Sequence, residues 1–267
     1  MFFAADQAHN QLMKRYLTVG YGAAAYLLFL AVFLYLVAFI GNFWVPRTVD
    51  RGLTAPIGEA VLVNMLLLGL FGLQHSVMAR PGFKAWWTRV VPSSIERSTY
   101  VMLSNAVLVL LYWQWRTMPA VIWKVELPAG RLALWTLFWL GWVIALASTF
   151  MINHFDLFGL RQVYLEWRGK PYTHIAFHVR MLYRLVRHPL MLGFIIAFWA
   201  APTMTAGHLL FSIVMTGYIL VATRIEEHDL VEALGDDYLN YRREVPRLLP
   251  LGRRARGGPS RPADAPG

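Results

Sequence analysis

Six apolar runs dominate the chain, at about Tyr16–Ile40, Ile57–Met78, Thr99–Trp115, Leu132–Ile152, Pro189–Ala201 and Gly207–Thr223. The first four have the ~17–25 residues that a helix needs to cross a bilayer. A backbone inside lipid has no water to bond, so such runs fold as helices. The expected fold is all-α: a polytopic membrane protein with five to six transmembrane helices. The last two runs are shorter. Joined by Pro202–Ala206, they predict a C-terminal helical hairpin, with short cytoplasmic helices after it. Hydrophobic residues make up 57% of the 267 positions, far above a soluble domain.

Twenty of the 25 Lys and Arg residues fall on one set of loops and five on the other. The positive-inside rule then places both termini of this multi-pass protein in the cytoplasm. It also accounts for the net charge of +10 without nucleic acid, because basic loops face anionic lipid. Met1–Arg15 is short of apolar residues and does not read as a cleaved leader. There is no cysteine, which excludes disulfides, thiolate metal sites and a cysteine nucleophile in this sequence. Residues 1–250 read as a single integral-membrane domain and 251–267 as a disordered basic tail.

Polar residues gather where the spans meet the basic loops. His75 ends the second span; His154 and Asp156 follow the fourth; His188 begins the hairpin and Glu226-Glu227 ends it. A chain that goes up, turns and returns brings Arg187 and His188 to Glu226 and Glu227. Two readings of that meeting stay open. One is an interfacial salt bridge with Pro189 at the first helical position. The other is a zwitterionic ligand, its carboxylate at the helix N-terminus and its cation on a glutamate. Gly235 is expected to stop a helix and Asp236 or Asp237 to start another. Tyr238 and Tyr241 share a face at i, i+3, to wall a ring or to pack as anchors.

Arg187-His188-Pro189, Gly193, Glu226-Glu227, Gly235, Tyr238, Tyr241 and Val245-Pro246 together resemble the isoprenylcysteine carboxyl methyltransferase superfamily over about Tyr183–Pro250. The chain departs at Met191, where the motif usually has Tyr. Leu73–Arg80, Pro81–Lys84, Glu96–Tyr100 and His154–Gln162 resemble its bacterial methanethiol S-methyltransferase branch, close to NnrU-type proteins. The resemblance implies a methyltransferase of the bacterial inner membrane that uses S-adenosyl-L-methionine (SAM) to convert methanethiol to dimethyl sulfide. It implies a cofactor half at about 172–250, with Tyr183, Arg187, His188, Pro189, Gly193, Glu226, Glu227, Tyr238 and Tyr241 at the cofactor. For the acceptor, His75, His154, Asp156 and Arg161 are the candidates: a base to form the thiolate, Asp156 to orient the His154 imidazole, and Arg161 to lower the thiol pKa. The partners expected are a small lipophilic thiol and membrane lipid.

Rival readings are methylation of a phospholipid amine or prenylcysteine carboxylate, a nicotinamide-dependent membrane reductase, and a haem-binding or transport protein. His174 and His178, at i, i+4, are the pair a haem would use. No metal is expected, because a diiron centre needs more clustered histidines.

Overall fold

A computed structural model describes residues 2–173 and 179–250. His174, His178 and the tail 251–267 lie outside the described residues. Ten helices and two short strands follow in the order α1 (Phe2–Gly41), α2 (Ile57–Ala79), α3 (Pro81–Trp87), α4 (Glu96–Gln114), β1 (Val121–Lys124), α5 (Pro128–Ile152), α6 (His154–Leu157), α7 (Leu160–Trp167), α8 (Pro189–Trp199), β2 (Thr203–Thr205), α9 (Ala206–Leu234) and α10 (Asp236–Glu244), with a 3₁₀ turn at Met181–Arg184. The protein is an all-α polytopic membrane protein. Four helices are long and apolar enough to cross a membrane: α1 from His9, α2, α5 and α9. Leu27, Leu34, Leu62, Leu66, Leu132 and Val143 are more than half exposed on them. Such outward leucines suit hydrocarbon, not water.

Helix α4 has 19 residues but does not reach the apolar composition of those four. Its buried face carries Ser98, Ser104 and Asn105. It packs between α1 and α2, so its polar side chains point into the bundle. The interior is a continuous aromatic and aliphatic core that includes Phe39, Leu111, Trp115, Phe138, Trp142, Phe198 and Phe211.

α5 and α8 touch backbone to backbone. A Cβ on Gly193 would lie 2.6 Å from the Ala145 nitrogen and the Gly141 carbonyl; one on Gly141 would lie 2.7 Å from the Gly193 carbonyl. The two glycines permit the approach of the helices, as small residues do in membranes.

The hairpin is less even than its apolar pattern suggests. Its first arm, α8, has 11 residues and runs only ~16 Å. The second arm does not end at Thr223: α9 continues for 29 residues, ~43 Å, to Leu234. Arg224–Glu232 are charged yet helix-compatible, so the helix leaves the apolar layer without breaking. The carbonyl of Phe198 accepts from His208 Nε2 at 2.9 Å and from Ser212 Oγ at 2.8 Å, so α8 ends level with these residues of α9. Residues 200–205 climb past that level before α9 starts. There β2 pairs antiparallel with β1, a small sheet that apolar runs do not announce. Among the described residues one separate helix, α10, follows Gly235, which closes α9 at φ +57°.

Loops segregate to two ends. At one end Asp50 meets Thr205 and the Leu53 backbone pairs with Arg116. At the other, the basic end, Arg80 meets Asp229 and Arg97 meets Asp156.

Candidate active site

At the basic end, α9 and the residues before α8 meet as the hairpin requires. Arg187 Nε donates to Glu227 Oε1 at 2.7 Å, and His188 Nε2 lies 3.1 Å from the same oxygen. Arg247 donates to Glu227 Oε2 at 3.1 Å, with Arg242 at 3.8 Å. Backbone bonds complete the knot: Arg187 N–H to Pro246 O and His188 N–H to Arg247 O. Arg187 also donates to the carbonyls of Arg242 and Val245. Glu227 is 1% exposed, and a carboxylate so buried is tolerable only when paired and hydrogen-bonded. Here it is the staple that ties α9, the start of α8 and the end of α10 together.

Glu226 is the other half of the pair and stands apart. Its side chain is 54% exposed, and its nearest cation is His188 Nδ1 at 3.6 Å, too long for a hydrogen bond. Glu226 acts electrostatically on Tyr100, Tyr183 and Tyr218, which come from α4, the 3₁₀ turn and α9. Burial, with the Glu226 charge second, pushes the Tyr183 phenol above its ordinary range. At the start of α8, Pro189 has no N–H and His188 makes no side-chain cap. The N–H groups of Leu190 and Met191 therefore face Glu226's end of the helix with no intrahelical partner.

His75 faces the same group from α2. Its ring lies 5.1 Å from Tyr100 and stacks on Phe71 at 5.2 Å. Its Nδ1 is 3.4 Å from Ser104 Oγ. Ser104 gives its only hydroxyl hydrogen to the Tyr100 carbonyl at 3.0 Å, so it can only accept from His75. That fixes the hydrogen on Nδ1 and leaves Nε2 as an unprotonated lone pair with no hydrogen bond among the described residues. Ser76 donates to the Tyr218 hydroxyl at 3.2 Å and joins α2 to α9 just below.

His154 and Asp156 do not pair. At i, i+2 on α6 they point to opposite sides. His154 Nδ1 is 2.8 Å from Thr149 Oγ1, and Nε2 is 2.8 Å from the Tyr26 hydroxyl. Thr149 spends its hydrogen on Leu146 O, so the imidazole donates from Nδ1 and accepts from Tyr26 at Nε2. Phe150 stacks on the ring at 4.2 Å, and burial holds the imidazole below its ordinary pKa. Asp156 instead accepts from Arg97 at 2.6 Å, Arg161 at 3.2 Å and the Tyr172 hydroxyl at 3.2 Å. Arg161 is thereby committed to a carboxylate and to Thr173. This second cluster locks the α6–α7 turn onto the first turn of α4, one helical turn from Tyr100.

Three further expected cofactor residues lie in packed surroundings. Gly193 is sealed against α5. Tyr238 and Tyr241 are 2% and 8% exposed, inside a small core with Val245, Leu230 and Leu234. Burial pushes the Tyr238 phenol up to about 12. Tyr241 donates to the Tyr183 carbonyl at 2.7 Å, at the edge of the site. Pro189 is buried at the first helical position. Ser104, Arg97, Tyr26 and Arg247 are the contributors that motif reading passes over. For Ser104 and Tyr26 the signal is a polar side chain inside an apolar run, for Arg247 an arginine directly after Val245-Pro246, and for Arg97 its place in the Glu96–Tyr100 stretch.

A helical membrane bundle that buries a carboxylate staple at one end and sets a half-exposed carboxylate, an imidazole nitrogen and an open helix start beside it defines a membrane protein with a built polar site. The family profile described as NnrU protein matches residues 63–229. The methanethiol S-methyltransferase of Mycobacterium tuberculosis (strain ATCC 25618 / H37Rv) is 70% identical over 238 residues, 89% of this chain and 98% of that protein. Methanethiol S-methyltransferase 2 of Bradyrhizobium diazoefficiens is 52% identical over 233 residues, 86% of this chain and 88% of that protein. Nurim of Mus musculus is 28% identical over 197 residues, 70% of this chain and 72% of its own. No solved structure matches. The chain belongs to the NnrU family.

Proposed function

We propose that the chain is a SAM-dependent methanethiol S-methyltransferase that converts CH₃SH to CH₃SCH₃ and releases one proton. The reading rests chiefly on the 70% identity, across nearly the whole of both chains, to a protein of that name. The site's donor set fits the cofactor. A sulfonium amino acid carries a cation, an ammonium, a carboxylate and ribose hydroxyls. Glu226 would take the ammonium or a hydroxyl edge, the Leu190 and Met191 N–H groups the carboxylate, and Tyr183 an aromatic wall. Glu227, Arg187 and His188 hold those groups in place.

Bound there, SAM supplies a methyl group already activated for in-line displacement. The protein's part is alignment, worth up to ~7–11 kcal/mol for well-oriented partners, and formation of the thiolate. Of the candidate bases, His75 has the free nitrogen: Nε2 takes the thiol proton while Ser104 holds the ring through Nδ1. His154, with both nitrogens bonded, and Asp156 and Arg161, bonded to each other, form the wall behind α4. A small apolar thiol enters from the bilayer, and the cofactor from the basic, cytoplasmic end. Replacing Glu226 with Gln tests the assignment: the variant folds and loses SAM affinity at least ~10-fold, or ~1.4 kcal/mol. Unchanged affinity by calorimetry overturns it.

A further inference from the structure

The end of the bundle away from Glu227 holds a second polar enclosure. A cavity of about 260 Å³ opens between the C-terminal end of α1, the start of α5 and the α8–α9 turn. Asp50, Arg131, Trp135, Phe138 and His208 stand in its walls.

Asp50 accepts from Asn42 Nδ2 on one oxygen and from Thr205 Oγ1 on the other. A carboxylate has about four lone-pair positions, so two remain open. Among the described residues no cation stands within ion-pair distance of it. His208 is 2% exposed. Its Nε2 faces the Phe198 carbonyl at 2.9 Å, and a carbonyl only accepts, so the ring hydrogen sits on Nε2. Nδ1 is then an acceptor with no hydrogen bond among the described residues, on a ring that lines the cavity. Asp50 acts electrostatically on the same ring. Arg131, on the rim, makes one weak polar contact, 3.5 Å to Val125 O, and no ion pair among the described residues. Acceptors line the floor, a guanidinium stands at the mouth, and two aromatic rings form the side.

We propose that this cavity binds a small zwitterion of the amino-acid type. Its ammonium group donates to Asp50 and His208 Nδ1, and its carboxylate pairs with Arg131. The ammonium lies by Trp135 and Phe138, whose ring faces favour a cation. The volume equals roughly eight or nine waters' share of the liquid, room for a small amino acid together with bound water. The site is separate from the Glu226 cluster and does not depend on methyl transfer.

The test uses the full chain in detergent, with glycine, ethanolamine (the ammonium end alone) and propionate (the carboxylate end alone) as probes in calorimetry. Glycine binds the wild type, and both half-ligands bind at least ~10-fold more weakly. Arg131→Gln, at an exposed position, and Asp50→Asn, which keeps an acceptor for Thr205, each weaken glycine at least ~10-fold and leave SAM binding unchanged. The proposal is overturned if glycine fails to bind the wild type, if it binds both variants as well as the wild type, or if ethanolamine equals glycine.

Discussion

Glu226 and Glu227 are neighbours in sequence with opposite surroundings: one side chain is 54% exposed with no hydrogen bond among the described residues, the other 2% exposed and gripped by Arg187, His188 and Arg247. One turn of helix geometry, ~100° between consecutive residues, turns one carboxylate toward the basic knot and the other away from it.

The pair should therefore separate under the same substitution. Glu227→Gln leaves the Arg187 and Arg247 guanidiniums beside a neutral amide, and breaking a buried pair of this kind costs ~3–5 kcal/mol. Thermal unfolding should show a large fall in Tm for Glu227→Gln and almost none for Glu226→Gln. Equal effects in the two variants contradict the staple.

His75→Gln should lower kcat at least ~100-fold with little change in SAM affinity, the range expected for loss of a general base. Ser104→Ala should lower kcat less and alter its pH profile, because the ring is freed rather than removed; Ser104→Thr should restore it. A headspace assay of dimethyl sulfide against pH reads both. A His75→Gln enzyme with wild-type kcat removes His75 from the chemistry.

Burial holds His154 below its ordinary value of 6.5. Below that pH the unfolded chain takes up a proton that the native imidazole refuses. The stability from this group is complete above about 6.5 and is lost as pH falls through the folded value. Tm should decline on acidification from about pH 7 to about pH 5, and His154→Gln should flatten the decline. An unchanged slope means another group titrates.

Gly193→Ala should destabilise by ~1–3 kcal/mol, because its methyl meets α5 backbone rather than a yielding side chain. SAM affinity per folded molecule should stay as it was. A stable variant with weakened SAM binding would return Gly193 to the cofactor site.

The membrane bundle was legible because lipid admits few backbone solutions, so run length alone marks α1, α2 and α5. The meeting of His188 with the glutamates was legible too, since a hairpin must return to its starting level. Hydropathy misplaced the end of α9, because charges at Arg224–Glu232 stop an apolar run without stopping a helix. The choice between Glu226 and Glu227 was invisible, since helix rotation is set by packing. Asp156 looked like the partner of His154 by proximity in sequence, yet Arg97 and Arg161 come to it from elsewhere in the chain. Tyr238 and Tyr241 do share a face; what that face meets depends on how α10 folds back on α9.

The central claim is the reaction itself. Purified full-length protein is incubated with methyl-labelled SAM and methanethiol, and the headspace is analysed. The account predicts labelled dimethyl sulfide, formed with wild-type protein and reduced at least ~100-fold with His75→Gln. Absence of labelled dimethyl sulfide from folded wild-type protein that binds SAM contradicts it.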